Sequence, residues 1–323
     1  MHHFKRAALL GMTAPVLFFM LPGAAKACAS CGCTLTADWL SQGLAAQPGT
    51  TLTLRYDYVP QTTLRSGTRK VDLSKIQFPT DREIERYTYN HSLTFTLDHQ
   101  FANDWGLDVQ LPMLTRPHST IGEGTADPSH SDTKGIGDLR LVGRWQGLST
   151  PGNVTGIEAG LALPTGQFHQ RFNSGPEKGQ EVDRGLQPGT GTVQAVLGAY
   201  HLGAVSPELG YFIQATSQVP LTSRDGYKPG SFVQASAALN FTHWRNITPQ
   251  LQVSFRKTWR DTGPNSDRPN SGGEQVNVAP GLSAKLGTKI VGFTYFELPV
   301  YTRVNGYQLV PKAKFSAGLL FHL

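Results

Sequence analysis

Hydrophobic and polar residues alternate along most of this chain. Between Pro249 and Arg260, the residues Leu251, Val253 and Phe255 share one side of an extended chain, and the residues between them are polar. Successive side chains of a β-strand point to opposite faces, so this alternation predicts strands with one apolar and one polar face. About twelve segments show the pattern, at residues 50–60, 87–99, 104–114, 137–147, 154–164, 191–203, 207–220, 230–244, 247–260, 274–286, 289–301 and 312–323.

The connections between these segments alternate in length. Short ones fall at residues 101–104, 149–153, 203–206, 244–246 and 287–288. Long ones fall at residues 61–86, 115–136, 165–190, 221–229, 261–273 and 302–311. Outer-membrane barrels have an even number of strands, short periplasmic turns and long outer loops. The sequence therefore predicts an all-β fold, a single antiparallel transmembrane β-barrel of about 12 strands over residues 50–323 with both termini periplasmic.

The N-terminus has the layout of a secretory signal peptide. Lys5 and Arg6 precede the apolar run 7–21, and small residues surround Lys26 at the predicted cleavage site after Ala27. This predicts a signal peptide over residues 1–27. No later segment approaches the roughly 18 to 20 consecutive apolar residues of a membrane helix. A charged fraction of 16% and 35 glycines also suit a barrel.

Aromatic residues fall near the ends of many predicted strands. The apolar faces of these strands are expected to contact outer-membrane lipid. Aromatic girdles mark both membrane interfaces of such barrels, although aromatic residues also favour strands in general. The residues concerned are Tyr56, Tyr58, Tyr87, Tyr89, Trp105, Trp145, Trp244, Trp259 and Tyr301.

If the apolar faces contact lipid, charged residues of both signs point into the lumen. The predicted pore-lining residues are Arg55, Asp57, Asp98, Asp108, Arg140, Arg144, Glu158, Glu208, Arg256, Lys285, Lys312 and Lys314. Twelve strands enclose less space than the roughly 16 to 18 strands of water-filled porins, and opposite charges can pair across a narrow lumen. We therefore expect a narrow, porin-like channel with weak charge selectivity for passive transport of a small solute.

Other functional classes have weaker support. Without Lys5, Arg6 and Lys26, 26 basic residues stand against 23 acidic ones with no basic cluster, so nucleic acid is not an expected partner. The only hydrolase-like groups, His118-Ser119 and His130-Ser131-Asp132, lie on a predicted long loop. No enzymatic activity and no cofactor are predicted.

Cys28, Cys31 and Cys33 form a CxxCxC cluster in segment 28–49, directly after the predicted cleavage site. This spacing allows a disulfide with one thiol left over, a soft-metal site, or exchange with a periplasmic thiol partner. The alternative function is accordingly a barrel-anchored docking protein whose cysteine segment binds a metal or a periplasmic redox partner.

Several short motifs resemble a family of uncharacterised, transporter-like outer-membrane β-barrel proteins related to the meta-pathway phenol-degradation group. The motifs are Cys31–Cys33 followed by Asp38-Trp39, LPTG at 163–166, DRGLQPGTGT at 183–192, NSGG at 270–273 and VNGYQL at 304–309. The resemblance implies a barrel with a transport role, and it supplies no catalytic residues.

The long loop 165–190 is rich in charged residues. It contains Arg171, Glu177, Lys178, Glu181, Asp183 and Arg184. Such a loop can fold inward as a constriction or remain solvated, and the sequence leaves both alternatives open.

Overall fold

The structure, a computed structural model, describes residues 48–323. The predicted signal peptide and the three cysteines lie outside these residues. The described part is all-β, with strands β1 (Gly49–Gly67), β2 (Arg69–Lys70), β3 (Ile84–Gln100), β4 (Trp105–Ile121), β5 (Ser129–Ile136), β6 (Leu139–Trp145), β7 (Val154–Leu163), β8 (Gln194–Ser206), β9 (Leu209–Pro220), β10 (Phe232–Phe241), β11 (Ile247–Thr258), β12 (Gly273–Lys285), β13 (Ile290–Pro311) and β14 (Lys314–His322). Within residues 48–323, two single-turn 3-10 helices cover Leu73–Lys75 and Arg184–Leu186. None of the helices in this range is long and apolar enough to cross a membrane.

Twelve of these strands close into an antiparallel barrel. Each pairs with its neighbour along the chain, and β14 closes the ring on β1, from Thr51 opposite His322 to Tyr58 opposite Phe315. The short strand β2 extends β1, and β5 pairs with the outer half of β4 above β6. The predicted fold and all twelve predicted strands are confirmed.

The barrel wall is apolar outside and polar inside. On β11, the outward Leu251, Val253 and Phe255 are exposed, whereas the inward Gln252 and Ser254 are buried. The same alternation recurs in the neighbouring strands. An outward apolar face and an inward polar face are what a lipid-embedded barrel requires.

Three predicted loops are partly strand. Segment 61–86 contains the end of β1, all of β2 and the start of β3. Segment 115–136 contains the end of β4 and all of β5, and segment 302–311 belongs to β13. β13 rises along β12, turns at Asn305 and Gly306, and descends along β1, where Tyr307 lies opposite Ser66. These extensions reach beyond the apolar band, so their sequences lose the alternation while their backbones stay paired.

Inward glycines give large side chains room to lie flat along the wall. A Cβ atom on any of them would contact the large inward residue directly opposite on the next strand. The pairs are Gly106 with Arg144, Gly156 with Tyr200, Gly198 with Glu158, Gly281 with Tyr295 and Gly318 with Phe293. Glycine within a strand commonly marks such a close approach. The arrangement reduces how far these side chains project into the lumen.

Candidate functional site in the barrel lumen

The structure places nine of the twelve predicted pore-lining residues on the inner wall. Asp57, Asp98, Asp108, Arg144, Glu158 and Lys314 are buried, and Arg55, Arg140 and Arg256 are half-buried. The other three differ. Glu208 is exposed in the β8–β9 turn next to His243, and Lys312 is exposed at an irregular step between β13 and β14. Alternation does not extend through turns and bulges, so the inward orientation expected from it does not hold for these two residues. Lys285 stands opposite the inward Val291 and keeps the inward register, but it is exposed at the periplasmic rim of the barrel.

Asp98 of β3 and Arg144 of β6 form an ion pair across β4. Their closest atoms are 2.5 Å apart, and both side chains are 2% exposed. Arg144 passes over Gly106, where a Cβ atom would lie 2.8 Å from its Nη2 atom. The missing side chain on β4 therefore permits a charge pair between strands that are not adjacent.

Replacing Arg144 with methionine should destabilise the barrel by about 3 kcal/mol, because the Asp98 carboxylate would remain buried without its cation. Denaturant unfolding in lipid vesicles would measure the change. Arg171→Met is the matched control, since Arg171 is exposed in the long loop and a change of less than about 0.5 kcal/mol is expected there. Equal unfolding midpoints for both variants would show that the pair adds little to stability.

Two more ion pairs lie on the adjoining part of the wall, one on β1 and one between β13 and β14. Arg55 Nε is 2.9 Å from Asp57 Oδ2, and the hydroxyl of Ser316 donates a hydrogen bond to the other oxygen of Asp57. Lys314 Nζ lies 2.6 Å from Glu297 Oε1. Sequence analysis missed Glu297 because β13 has large apolar residues on both faces, which hides its orientation.

Arg256 has both a polar and an aromatic partner. Its Nη1 atom donates to Gln234 Oε1 at 3.1 Å, and its guanidinium carbon lies 3.5 Å from the centroid of the inward Phe232 ring. A cation held over an aromatic face gains electrostatic stabilisation. The side chain is thereby held against the wall near the outer end of the lumen.

Several buried inward atoms have no hydrogen-bond partner among residues 48–323. They include Thr51 Oγ1, Thr53 Oγ1, Gln252 Nε2 and Asn277 Oδ1. Buried polar atoms are almost always satisfied, by protein or by water. These atoms are spread along the inner wall from the periplasmic end to the middle of the barrel, so polar groups line the lumen over this length.

The periplasmic end of the lumen contains an apolar cluster. Tyr200, Phe212, Ala238, Val291 and Leu320 are buried against one another. Phe212 on β9 and Leu320 on β14 are five strands apart in the ring of twelve, so the cluster crosses the lumen. Hydrophobic constrictions oppose the passage of water and ions by dewetting.

The long loop 164–193 occupies the extracellular end. The inward Arg116 of β4 donates from Nη1 to the carbonyl oxygens of Gly185 and Gln187, at 3.1 and 2.9 Å. The inward Thr133 of β5 donates to the carbonyl of Leu186 at 2.8 Å. These contacts place segment 184–187 inside the barrel, which favours the inward alternative for this loop.

Both ends of loop 164–193 are held at the wall by one carboxylate, that of Asp138. The carboxylate of Asp138 accepts hydrogen bonds from the backbone N–H groups of Gly166 and Thr190, at 3.0 and 2.9 Å, and from the Thr190 hydroxyl. Farther along the loop, Phe172, Val182 and Leu186 form a small core. Sequence analysis did not identify the anchoring roles of Arg116 and Asp138.

The two hydrolase-like groups lie on strands rather than on a loop. His118 of β4 is buried and its Nδ1 atom lies 2.8 Å from the Thr88 hydroxyl, while His130 of β5 contacts the Tyr87 hydroxyl at 3.4 Å. Both histidines therefore have partners other than Ser119 and Ser131. Within residues 48–323, no three His, Cys, Asp or Glu side chains are grouped as metal ligands would be.

Two solved structures show this fold over most of their length. An outer membrane channel from Pseudomonas putida F1 covers 86% of this chain and 97% of its own, with a TM-score of 0.62 and 12% identity. The protein is an outer-membrane β-barrel. The transport unit of the autotransporter AIDA-I from Escherichia coli covers 92% of this barrel protein and 95% of its own chain, with a TM-score of 0.51 and 10% identity.

Identities of 12% and 10% are low, so these two matches show a shared fold and no more. The two matched proteins themselves differ, since one is an outer membrane channel and the other is the transport unit of an autotransporter. No family model and no curated protein matches the sequence of this outer-membrane barrel. The coarse resemblance to outer-membrane barrels is confirmed, and the relation to the meta-pathway phenol-degradation group stays a prediction without support from these matches.

Proposed function

We propose that this outer-membrane barrel is a passive channel for small solutes, with a narrow lumen restricted at both ends. The observation that carries the proposal is the polar inner wall of a closed twelve-stranded barrel, lined by charged, amide and hydroxyl side chains such as Asp57, Gln252 and Ser254. A barrel that served only as an anchor could fill its interior with apolar side chains instead. Polar groups along the wall are what a pathway for small polar solutes requires.

The charges on the wall favour weak selectivity. The nine charged residues predicted to line the pore that lie on the inner wall, together with Glu297, comprise five basic and five acidic side chains, several of them paired. Paired charges on a wall produce no strong net field, so neutral and zwitterionic solutes should pass as readily as small ions. A barrel of this fold is an outer membrane channel in Pseudomonas putida, so the architecture accommodates this role.

The two restrictions suggest a size limit and regulated opening. Loop 164–193 fills the extracellular end through hydrogen bonds to Arg116, Thr133 and Asp138, and the apolar cluster narrows the periplasmic end. Both are assemblies of side chains and loop residues that can rearrange without opening the barrel wall.

Solute flux into proteoliposomes tests the proposal. Liposomes with the folded barrel should swell in small sugars and amino acids, at rates that fall steeply with solute size. Empty liposomes and liposomes with heat-denatured protein are the controls. A correctly folded barrel without solute flux and without discrete conductance would contradict a channel role.

A further inference from the structure

A row of residues that includes three charged ones crosses the outer surface of the barrel at its extracellular end, and is called the charged row below. Cross-strand pairing aligns Ser217, Val233, Lys257, Glu274 and Arg303 on β9 to β13. Lys257 and Glu274 form an ion pair of 2.9 Å, and Arg303 is exposed beside them. These residues are next to inward ones in the chain, Lys257 after Arg256 and Glu274 before Gln275, so they face the membrane side of the wall.

The next outward rows toward the periplasm are entirely apolar. The first contains Ala215, Ala235, Phe255, Val276 and Tyr301, and the second contains Ile213, Ala237, Val253, Val278 and Leu298. Successive outward residues on a strand are about 7 Å apart. The charged row therefore lies one step above the hydrocarbon region, at the depth of the headgroups of the outer leaflet.

The row forms part of the lining of a cleft of about 970 Å³, which is strongly basic and extends from the row to the extracellular loops. Five basic side chains line it against one acidic side chain, that of Glu274. The basic residues are Lys228, Lys257, Arg260, Arg268 and Arg303. Trp259 also lines the cleft, with the Lys257 ammonium 5.9 Å from the centre of its ring, as suits a residue at a membrane interface.

We propose that this cleft binds the phosphate-bearing headgroup of an outer-leaflet glycolipid, lipid A of lipopolysaccharide. Guanidinium and ammonium groups are the preferred protein ligands for phosphate. The apolar rows below the cleft match the acyl chains of the same molecule, so one amphiphile would satisfy both surfaces. Basic pockets beside membrane-spanning elements bind anionic headgroups by the same physics.

Native mass spectrometry of the detergent-solubilised barrel tests this site. The probes are diphosphoryl lipid A, fully dephosphorylated lipid A and inorganic phosphate. The wild-type barrel should bind diphosphoryl lipid A, and Arg268→Ala combined with Arg303→Ala should weaken binding by about tenfold or more, because two charge-assisted contacts are lost. Arg69→Ala combined with Lys70→Ala is the matched control, since these exposed basic residues lie at the same end on β2, outside the lining of the cleft.

Three results would overturn the proposal. The double variant could bind diphosphoryl lipid A as tightly as the wild type, dephosphorylated lipid A could bind equally well, or inorganic phosphate could displace the lipid at equal concentration. The last result would identify a free-phosphate site instead. Heat-modifiable gel mobility confirms that each variant is folded, and Arg303→Lys provides a second variant that keeps the charge and should retain most of the affinity. None of these measurements depends on solute transport, so the two proposals can fail separately.

Discussion

Replacement of loop residues 164–193 by a short β-turn is expected to raise the unit conductance in planar bilayers several-fold. Segment 184–187 lies inside the extracellular end, held by Arg116 and Thr133. Because β7 and β8 pair directly from Val154 opposite Leu202 to Ala162 opposite Gln194, a two- to five-residue turn can join them without opening the ring. The barrel should remain closed while its mouth widens.

A point substitution tests the same gate with less perturbation. Asp138→Ala removes the carboxylate that fixes Gly166 and Thr190, so openings should become more frequent. Asp132→Ala on β5 is the matched control, because Asp132 is exposed at the same extracellular end of the barrel. The conductance of this variant should equal that of the wild type. If the loop-replaced barrel conducted no better than the wild type, the loop would not restrict the pathway.

Leu320→Asn is expected to raise the conductance substantially by allowing water into the periplasmic constriction. Leu320 is fully buried in the apolar cluster that crosses the lumen, and a polar side chain of similar size lowers the barrier to wetting there. Single-channel recording measures the change.

Leu319→Asn provides the matched control one residue away. Leu319 faces lipid and is 37% exposed, so its substitution should lower the stability of the inserted barrel and leave the conductance unchanged. Equal conductance of the Leu320 variant and the wild type would show that ions do not pass through the cluster.

The sequence predicted the strands well wherever lipid contacts one face. Alternation such as that of Leu251, Val253 and Phe255 arises because each strand separates hydrocarbon from a polar interior. Beyond the bilayer both faces are wet or covered by loops, so the pattern disappears although pairing continues. β5 and the turn at Asn305 and Gly306 were missed for this reason.

The lumen was predictable in composition but not in arrangement. Alternation placed Asp98 and Arg144 on the inner wall, but their pairing depends on Gly106 and on the register of three strands. The constriction could not be predicted, because Val291 and Leu320 alternate with other apolar residues and neither face is distinguished. The position of loop 164–193 depends on long-range contacts with Arg116 and Asp138, for which the chain has no local pattern.

The most direct test of the channel pathway is block by Cd²⁺ of a single cysteine placed on the inner wall. In a barrel whose three native cysteines are replaced by serine, Gln252→Cys places a thiol in the lumen, and Val253→Cys places one on the lipid-facing side of the same strand. Thiolates bind soft metal ions, and Cd²⁺ is no larger than the ions that carry the current. We predict that Cd²⁺ reduces the single-channel current of Gln252→Cys and leaves that of Val253→Cys unchanged. An unchanged current in both variants would contradict passage through the lumen.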